Sequence, residues 1–97
     1  MNYMDAPTIS VLLFARVREV FAQDSVSLDW SRGGTIGDVR SALSSLRPNV
    51  ADLLIRCAIA LNGEYVSDDR GVSSGDEIAV IPPVSGGQRR IRRMAEW

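Results

Sequence analysis

The distribution of apolar and polar residues predicts two strands near the start of the chain. Residues 9–15 are an almost continuous apolar run of strand-forming side chains, which indicates a buried strand. Residues 25–30 alternate polar with apolar, as a half-buried strand does, and Trp30 is expected to pack at the sheet edge. Between them, Val17 and Phe21 stand at i and i+4, so a short helical turn is expected over residues 16–23.

The middle of the chain has the periodicity of a helix. Apolar residues recur at helical spacing and share one predicted face: Ile36, Val39, Leu43 and Leu46. Thr35 is a suitable N-cap, and Asp38 three residues later makes a weak capping box with it. Pro48 either ends this helix or begins a short second one with three inward-pointing residues, Val50, Leu53 and Leu54.

The last third of the chain predicts three more strands. Residues 57–61 form an apolar strand, with Cys57 expected in the core. Asn62–Gly63 favours a type I′ hairpin turn into a short strand over residues 64–66. Residues 77–81 form a final apolar strand, after a turn-rich stretch over residues 68–76.

The order of these elements is strand, strand, helix, strand, strand, strand, which predicts an α+β fold. A mixed sheet clasping one main helix is the β-grasp, or ubiquitin-like, arrangement. The first and last strands are the most apolar, so they are expected side by side at the centre. We divide the chain into a mobile lead-in (1–7), the β-grasp domain (8–81), an extended tail (82–87) and a basic extension (88–97).

The composition excludes several kinds of catalytic and metal site. The 97 residues suffice for one domain and contain no histidine and one cysteine. This excludes Ser-His and Cys-His catalytic pairs, histidine metal sites and multi-cysteine zinc sites, so no bound metal is expected. No segment resembles a membrane span or a signal peptide, which predicts a cytoplasmic protein without a membrane partner.

Charge is distributed unevenly along the chain. Residues 1–87 carry 7 Arg against 11 Asp and Glu, a balance of −4, whereas residues 88–97 carry 4 Arg against one Glu, a balance of +3. Four arginines without a basic body do not predict a nucleic-acid partner.

The segment after the last strand has the composition of a tail that enters another protein. Pro82 and Pro83 cannot continue a sheet and hold the chain extended. Val84 and Ser85 follow, and Gly86–Gly87 then presents a backbone without side chains. Such a thin segment suits a narrow pocket on a partner, although a flexible linker to the arginine-rich extension is the alternative.

Three stretches together resemble a known family. These are residues 11–19 (VLLFARVRE), residues 60–64 (ALNGE) and residues 75–87 (GDEIAVIPPVSGG). They are similar to the small subunit of molybdopterin synthase, the MoaD family of ubiquitin-like sulfur carriers. The likeness covers roughly residues 8–87 and is in register with the predicted strands.

The resemblance implies a function without a catalytic site of its own. An E1-like activating enzyme would use ATP to adenylate the carboxylate of Gly87, and a sulfur donor would convert it to a thiocarboxylate. The tail would then enter the large, MoaE-type subunit and pass its sulfur to cyclic pyranopterin monophosphate. Gly86 would permit the close approach, and the carrier would bind no cofactor. Partner contacts are expected at seven positions: Phe14, Tyr65, Ile81, Pro82, Pro83, Val84 and Ser85.

The extension over residues 88–97 departs from the family pattern, because family members normally end at the second glycine. As written, Gly87 is held in a peptide bond and cannot be adenylated. A protease removes the extension, or it is a permanent part of a divergent or regulatory relative, or it was added for expression; we favour processing. Two other functions stay open: a carrier for thiazole or tRNA thiolation, against which Pro82–Pro83 argues, and a β-grasp interaction module whose basic tail is functional.

Overall fold

The computed structural model describes residues 7–83 of the chain. In chain order the elements are β1 (Thr8–Leu13), α1 (Ala15–Phe21), β2 (Ser25–Asp29), β3 (Gly34–Thr35), α2 (Ile36–Leu46), a 3₁₀ turn (Pro48–Val50), α3 (Ala51–Arg56), β4 (Ala58–Leu61), β5 (Glu64–Val66), β6 (Gly71–Val72) and β7 (Glu77–Ile81). None of the helices in this range combines the length and apolar composition needed to cross a membrane.

Five of the strands form one mixed sheet in the order β2-β1-β7-β4-β5. The central pair, β1 and β7, is parallel, with Leu12 opposite Ala79, and the other neighbours are antiparallel. A parallel pair needs a crossover connection, which the helices and outer strands supply. The predicted α+β β-grasp fold and the central position of the first and last strands are therefore confirmed.

Helix α2 begins where its capping residues predict. The Thr35 hydroxyl accepts a hydrogen bond from the Asp38 backbone N–H at 3.3 Å, and the Asp38 carboxylate accepts one from the Thr35 N–H at 2.8 Å. Ile36, Val39 and Leu43 are buried as expected, but Leu46 is 47% exposed, so its predicted burial is wrong. The helix ends at Leu46, and the buried positions beyond it are supplied by the following turn and by α3.

The core lies between the helices and one face of the large sheet. Among residues 7–83 its buried members are all apolar. Trp30, directly after edge strand β2, is only 6% exposed, and its indole N–H donates to the Val72 carbonyl at 2.8 Å. That bond ties the sheet edge to a small ladder of β3 and β6, which the sequence did not predict.

The ends of the chain are not described. The expectations for the lead-in before residue 7, for the tail beyond Pro83 and for the extension therefore lie outside the described residues. The proposed domain boundaries stay predictions.

Candidate functional site

The sheet has one face covered by helices and one face open to solvent. Side chains alternate between the faces of a strand, so β1 directs Ile9, Val11 and Leu13 toward the core. Leu12 points the other way. Strand pairing places Leu12 opposite Ala79, Ala79 opposite Ala60, and Ala60 opposite Tyr65. These four residues therefore form one apolar row across the open face.

A second row lies beside the first, toward the end of β7 from which the tail leaves. Ile81 is paired with Ala58. Phe14 follows β1 with an extended backbone (φ −130°, ψ 154°), so the parallel register brings it level with Ile81. We call the two rows together the open face: Leu12, Phe14, Ala58, Ala60, Tyr65, Ala79 and Ile81.

Three residues expected to contact a partner share this open face. Phe14 is 44% exposed, Tyr65 is 72% exposed, and Ile81 is half-buried. Large apolar side chains at such exposure are typical of a surface that a partner covers. The other four residues of the open face were not predicted: Leu12, Ala58, Ala60 and Ala79. The signal for Leu12 is that Leu12 and Phe14 interrupt the alternation expected of a half-solvated strand.

The tail leaves the sheet at a cleft of about 520 Å³. Pro82 is buried and Pro83 is exposed, and both line the cleft. Because proline lacks a backbone N–H, the pair ends the β7 ladder and releases the chain from the sheet. The four remaining predicted tail residues, Val84, Ser85, Gly86 and Gly87, lie outside the described residues.

The chain turns sharply where the open face meets this cleft. Ala15 follows Phe14 with φ of +52°, a left-handed conformation that costs an alanine about 1–2 kcal/mol. The turn separates an outward-facing Phe14 from helix α1, in which Val17 and Phe21 are buried. Ala15 also lines the cleft, so the strained turn lies at the base of the tail.

Arg40 links helix α2 to two neighbouring segments. Its guanidinium makes an ion pair with Asp68 at 2.7 Å and donates to the carbonyls of Leu54 and Cys57. It thereby ties α2 to the end of α3 and to the loop before β6. Burial raises the pKa of the Cys57 thiol, which keeps it protonated and fits its predicted place in the core.

Acidic side chains do not assemble into a metal site in the described part of the chain. Between residues 7 and 83 no three Cys, Asp or Glu side chains are grouped to hold an ion. What these residues do offer is an apolar open face next to the point at which Pro82 and Pro83 leave the sheet.

Known proteins share both this fold and this sequence. Residues 11–87 match the ThiS family. The "Molybdopterin synthase sulfur carrier subunit" of Dictyostelium discoideum is 40% identical over 80 residues, which cover 79% of this chain and 93% of that protein. This relative confirms the resemblance to sulfur carriers drawn from the motifs.

Solved structures agree with the fold. The crystal structure of SAMP1 from Haloferax volcanii superposes with a TM-score of 0.72 at 30% identity, covering 82% of this chain and 99% of that chain. A complex of subunits 1 and 2 of molybdopterin-converting factor from Helicobacter pylori contains a chain with a TM-score of 0.59 at 23% identity, covering 82% of this chain and 99% of that one. The second likeness concerns the fold alone.

The family match includes all of the large sheet after the first residues of β1, and it extends through Gly87. It therefore takes in both the open face and the predicted tail. The chain belongs to the ThiS family.

Proposed function

We propose that this protein is the sulfur carrier subunit of molybdopterin synthase, with the sulfur carried as a thiocarboxylate on Gly87. The observation that carries the proposal is the extent of the family match, which ends at the second glycine of the tail. The name of the Dictyostelium discoideum relative supports the choice of pathway. Pro82 and Pro83 support the release of a thin tail from the sheet.

The chemistry needs an activated carboxyl group. A free carboxylate is a poor electrophile, so an E1-like enzyme joins it to the α-phosphate of ATP and releases pyrophosphate. Sulfur from a donor then attacks the acyl carbon, and AMP leaves with the electron pair of the broken C–O bond. The resulting thiocarboxylate passes its sulfur to cyclic pyranopterin monophosphate inside the large subunit. In this scheme the carrier contributes the acyl group, and its partners contribute the catalytic groups.

The open face is the surface that we propose for docking on the large, MoaE-type subunit. Tyr65 and Phe14 are exposed aromatic residues, a residue class enriched at interface centres. Tyr65 lies on β5 and Phe14 directly follows β1, on the same open face as Ile81, which is immediately followed by the tail. A partner that covers the open face would therefore also meet the tail. The Helicobacter pylori complex of subunits 1 and 2 of molybdopterin-converting factor supports a partner of this kind.

The extension over residues 88–97 must be removed before this chemistry, because a peptide bond to Gln88 occupies the carboxyl group of Gly87. We propose that a protease cleaves after Gly87. Since activation requires ATP and an enzyme partner, we expect the protein to work in the cytoplasm.

Adenylation tests this proposal directly. ATP–pyrophosphate exchange by the activating enzyme is measured with three chains: the full sequence, a chain ending at Gly87, and a control ending at Gly86. Only the chain ending at Gly87 is expected to support rapid exchange, because removing one residue withdraws the carboxylate by about 3.3–3.6 Å. Equal exchange with the full sequence and with the chain ending at Gly87 would contradict the need for processing.

A further inference from the structure

We propose that the cleft at the base of the tail is a second docking site, which receives an acidic segment of the large subunit. The inference rests on the function proposed above and adds the chemistry of a contact outside the open face. We call this site the tail-base cleft. The lining residues that matter are Arg16, Val20, Leu53, Arg56, Pro82 and Pro83.

The walls of the tail-base cleft carry an excess of positive charge. Arg16 comes from α1 and Arg56 from α3, and Asp52 is the one carboxylate among the lining residues. Within residues 7–83 the ion pairs are those of Arg18 with Asp24 and of Arg40 with Asp68, so neither cleft arginine has a carboxylate partner there.

Arg56 makes one long hydrogen bond, from Nε to the Asp52 carbonyl at 3.5 Å. Within residues 7–83, most of the five N–H donors of Arg56 therefore have no acceptor, and the Arg16 side chain donates no hydrogen bond in that range. Two such cations are notable on a chain whose first 87 residues have a balance of −4.

The floor of the cleft is apolar. Val20 and Leu53 are partly buried and pack against the core, and Pro82 is buried. A guanidinium binds a carboxylate through two parallel hydrogen bonds, whereas the floor offers contact to carbon atoms. The combination fits an acidic side chain next to an apolar one on a protein segment. An inorganic anion would leave the floor uncovered.

The position of the cleft identifies the partner. Pro82 and Pro83 line the cleft and also begin the tail, so a protein that surrounds the entering tail meets the cleft walls. Ala15 joins the cleft to Phe14 on the open face. The tail-base cleft is therefore continuous with the surface proposed for the large subunit, and its charge would orient the two proteins as the tail enters.

A charge-reversal experiment tests the inference. Binding to the large subunit is measured by calorimetry at low and at physiological salt, for the full chain and for the chain ending at Gly87. The variant Arg16→Glu with Arg56→Glu is expected to bind about 10- to 100-fold more weakly and with a shallower salt dependence. Arg16→Gln with Arg56→Gln is expected to lose less, because it removes attraction without adding repulsion.

Arg32→Glu is a control with a single charge reversal away from the cleft. Arg32 is exposed and follows β2, and the end of β2 pairs with the start of β1. The cleft lies beyond the other end of β1, so Arg32 is distant from it. The control is expected to keep wild-type affinity, and circular dichroism confirms folding of every variant. If the wild type binds the large subunit and the charge-reversed variant binds it equally well, the tail-base cleft is not a docking site, and the proposed function is unaffected. Absence of wild-type binding in both forms overturns the proposed function and the cleft together.

Cross-linking identifies the occupant. Asn49 is an exposed residue of the cleft wall, and Cys57 is buried, so Asn49→Cys can be labelled selectively with a photoreactive thiol reagent. Mass spectrometry of the cross-linked complex is expected to find an Asp- or Glu-containing segment of the large subunit. Capture of a basic or uncharged segment overturns the proposal.

Discussion

The covered and open faces of the sheet use apolar residues for different purposes. On the covered face, Ile9, Val11, Ile78 and Val80 are buried, and all four lie on the central strands β1 and β7, where Val11 is paired with Ile78. On the open face, Tyr65 and Phe14 are exposed, Leu12 and Ile81 are half-buried, and the small Ala60 beside Tyr65 is buried. Apolar content alone therefore does not distinguish a residue that stabilises the fold from one that recognises a partner. Strand register distinguishes them, because it decides which face of the sheet each side chain occupies.

The two faces are expected to differ most in how much their side chains contribute to the free energy of unfolding. Ile78 and Ile81 lie on the same strand, but Ile78 is buried on the covered face and Ile81 is half-buried on the open face. Ile78→Ala is expected to lower the free energy of unfolding by about 2–5 kcal/mol, because it leaves a cavity in the core. Ile81→Ala is expected to cost less than half as much. Urea denaturation measures both, and equal losses would mean that the open face is part of the core.

The next effect separates the faces by binding. Tyr65→Arg is expected to weaken binding to the large subunit about 10- to 100-fold, because an interface centre tolerates an unpaired charge badly. Stability should change by no more than about 0.5 kcal/mol, since Tyr65 is a surface residue. Affinity by calorimetry and melting temperature by circular dichroism are measured on the same sample.

Ile55→Arg is the control for this variant. Ile55 is 71% exposed, almost the same as Tyr65, but it lies on α3 and not on the open face. It is expected to bind as the wild type does. If Tyr65→Arg unfolds the domain, or if both variants bind normally, Tyr65 is not an interface residue.

The smallest expected effect is on the stability of the fold at acidic pH. The described core contains no charged residue, so the pH dependence of stability must come from surface carboxylates such as Asp76. The Ser73 backbone N–H and then the Asn62 side chain donate to Asp76 and lower its pKa below the ordinary 3.8. Its stabilisation is therefore complete above that value and is lost as the pH falls through the lowered pKa.

Asp76→Asn tests this contribution, because it removes the titrating group while keeping the shape of the side chain. The unfolding free energy of the variant should fall less steeply below about pH 4 than that of the wild type. Its binding through the open face at neutral pH should be unchanged. Parallel acid profiles for the two proteins would assign the acid sensitivity to other groups.

The sequence predicted the structural elements that are determined by residues close together in the chain. Thr35 and Asp38 form the capping box, and Asn62 and Gly63 have the positive φ values, 49° and 90°, that their hairpin turn requires. The rules did not find β3 and β6, because strands of two residues are too short to show a period. Leu46 fits the helical period, yet the covered region does not extend to it.

The sequence predicted those site residues that belong to motifs of the family, and it missed residues that only the folded chain brings together. Phe14, Tyr65 and Ile81 came from the family resemblance, and the register then placed them on one face. Arg16 and Arg56 were not singled out, because they are 40 residues apart in the sequence and only the folded chain brings α1 and α3 to the same cleft. No local pattern carries that information.

Intact-mass spectrometry tests the central claim, that Gly87 carries sulfur. The chain ending at Gly87 is incubated with the activating enzyme, ATP and a sulfur donor, and the full sequence is treated in parallel. The shorter chain is expected to gain the mass difference between one sulfur and one oxygen, and the full sequence is expected to keep its mass. If the shorter chain also keeps its mass in a reaction where an established carrier gains sulfur, Gly87 does not carry sulfur.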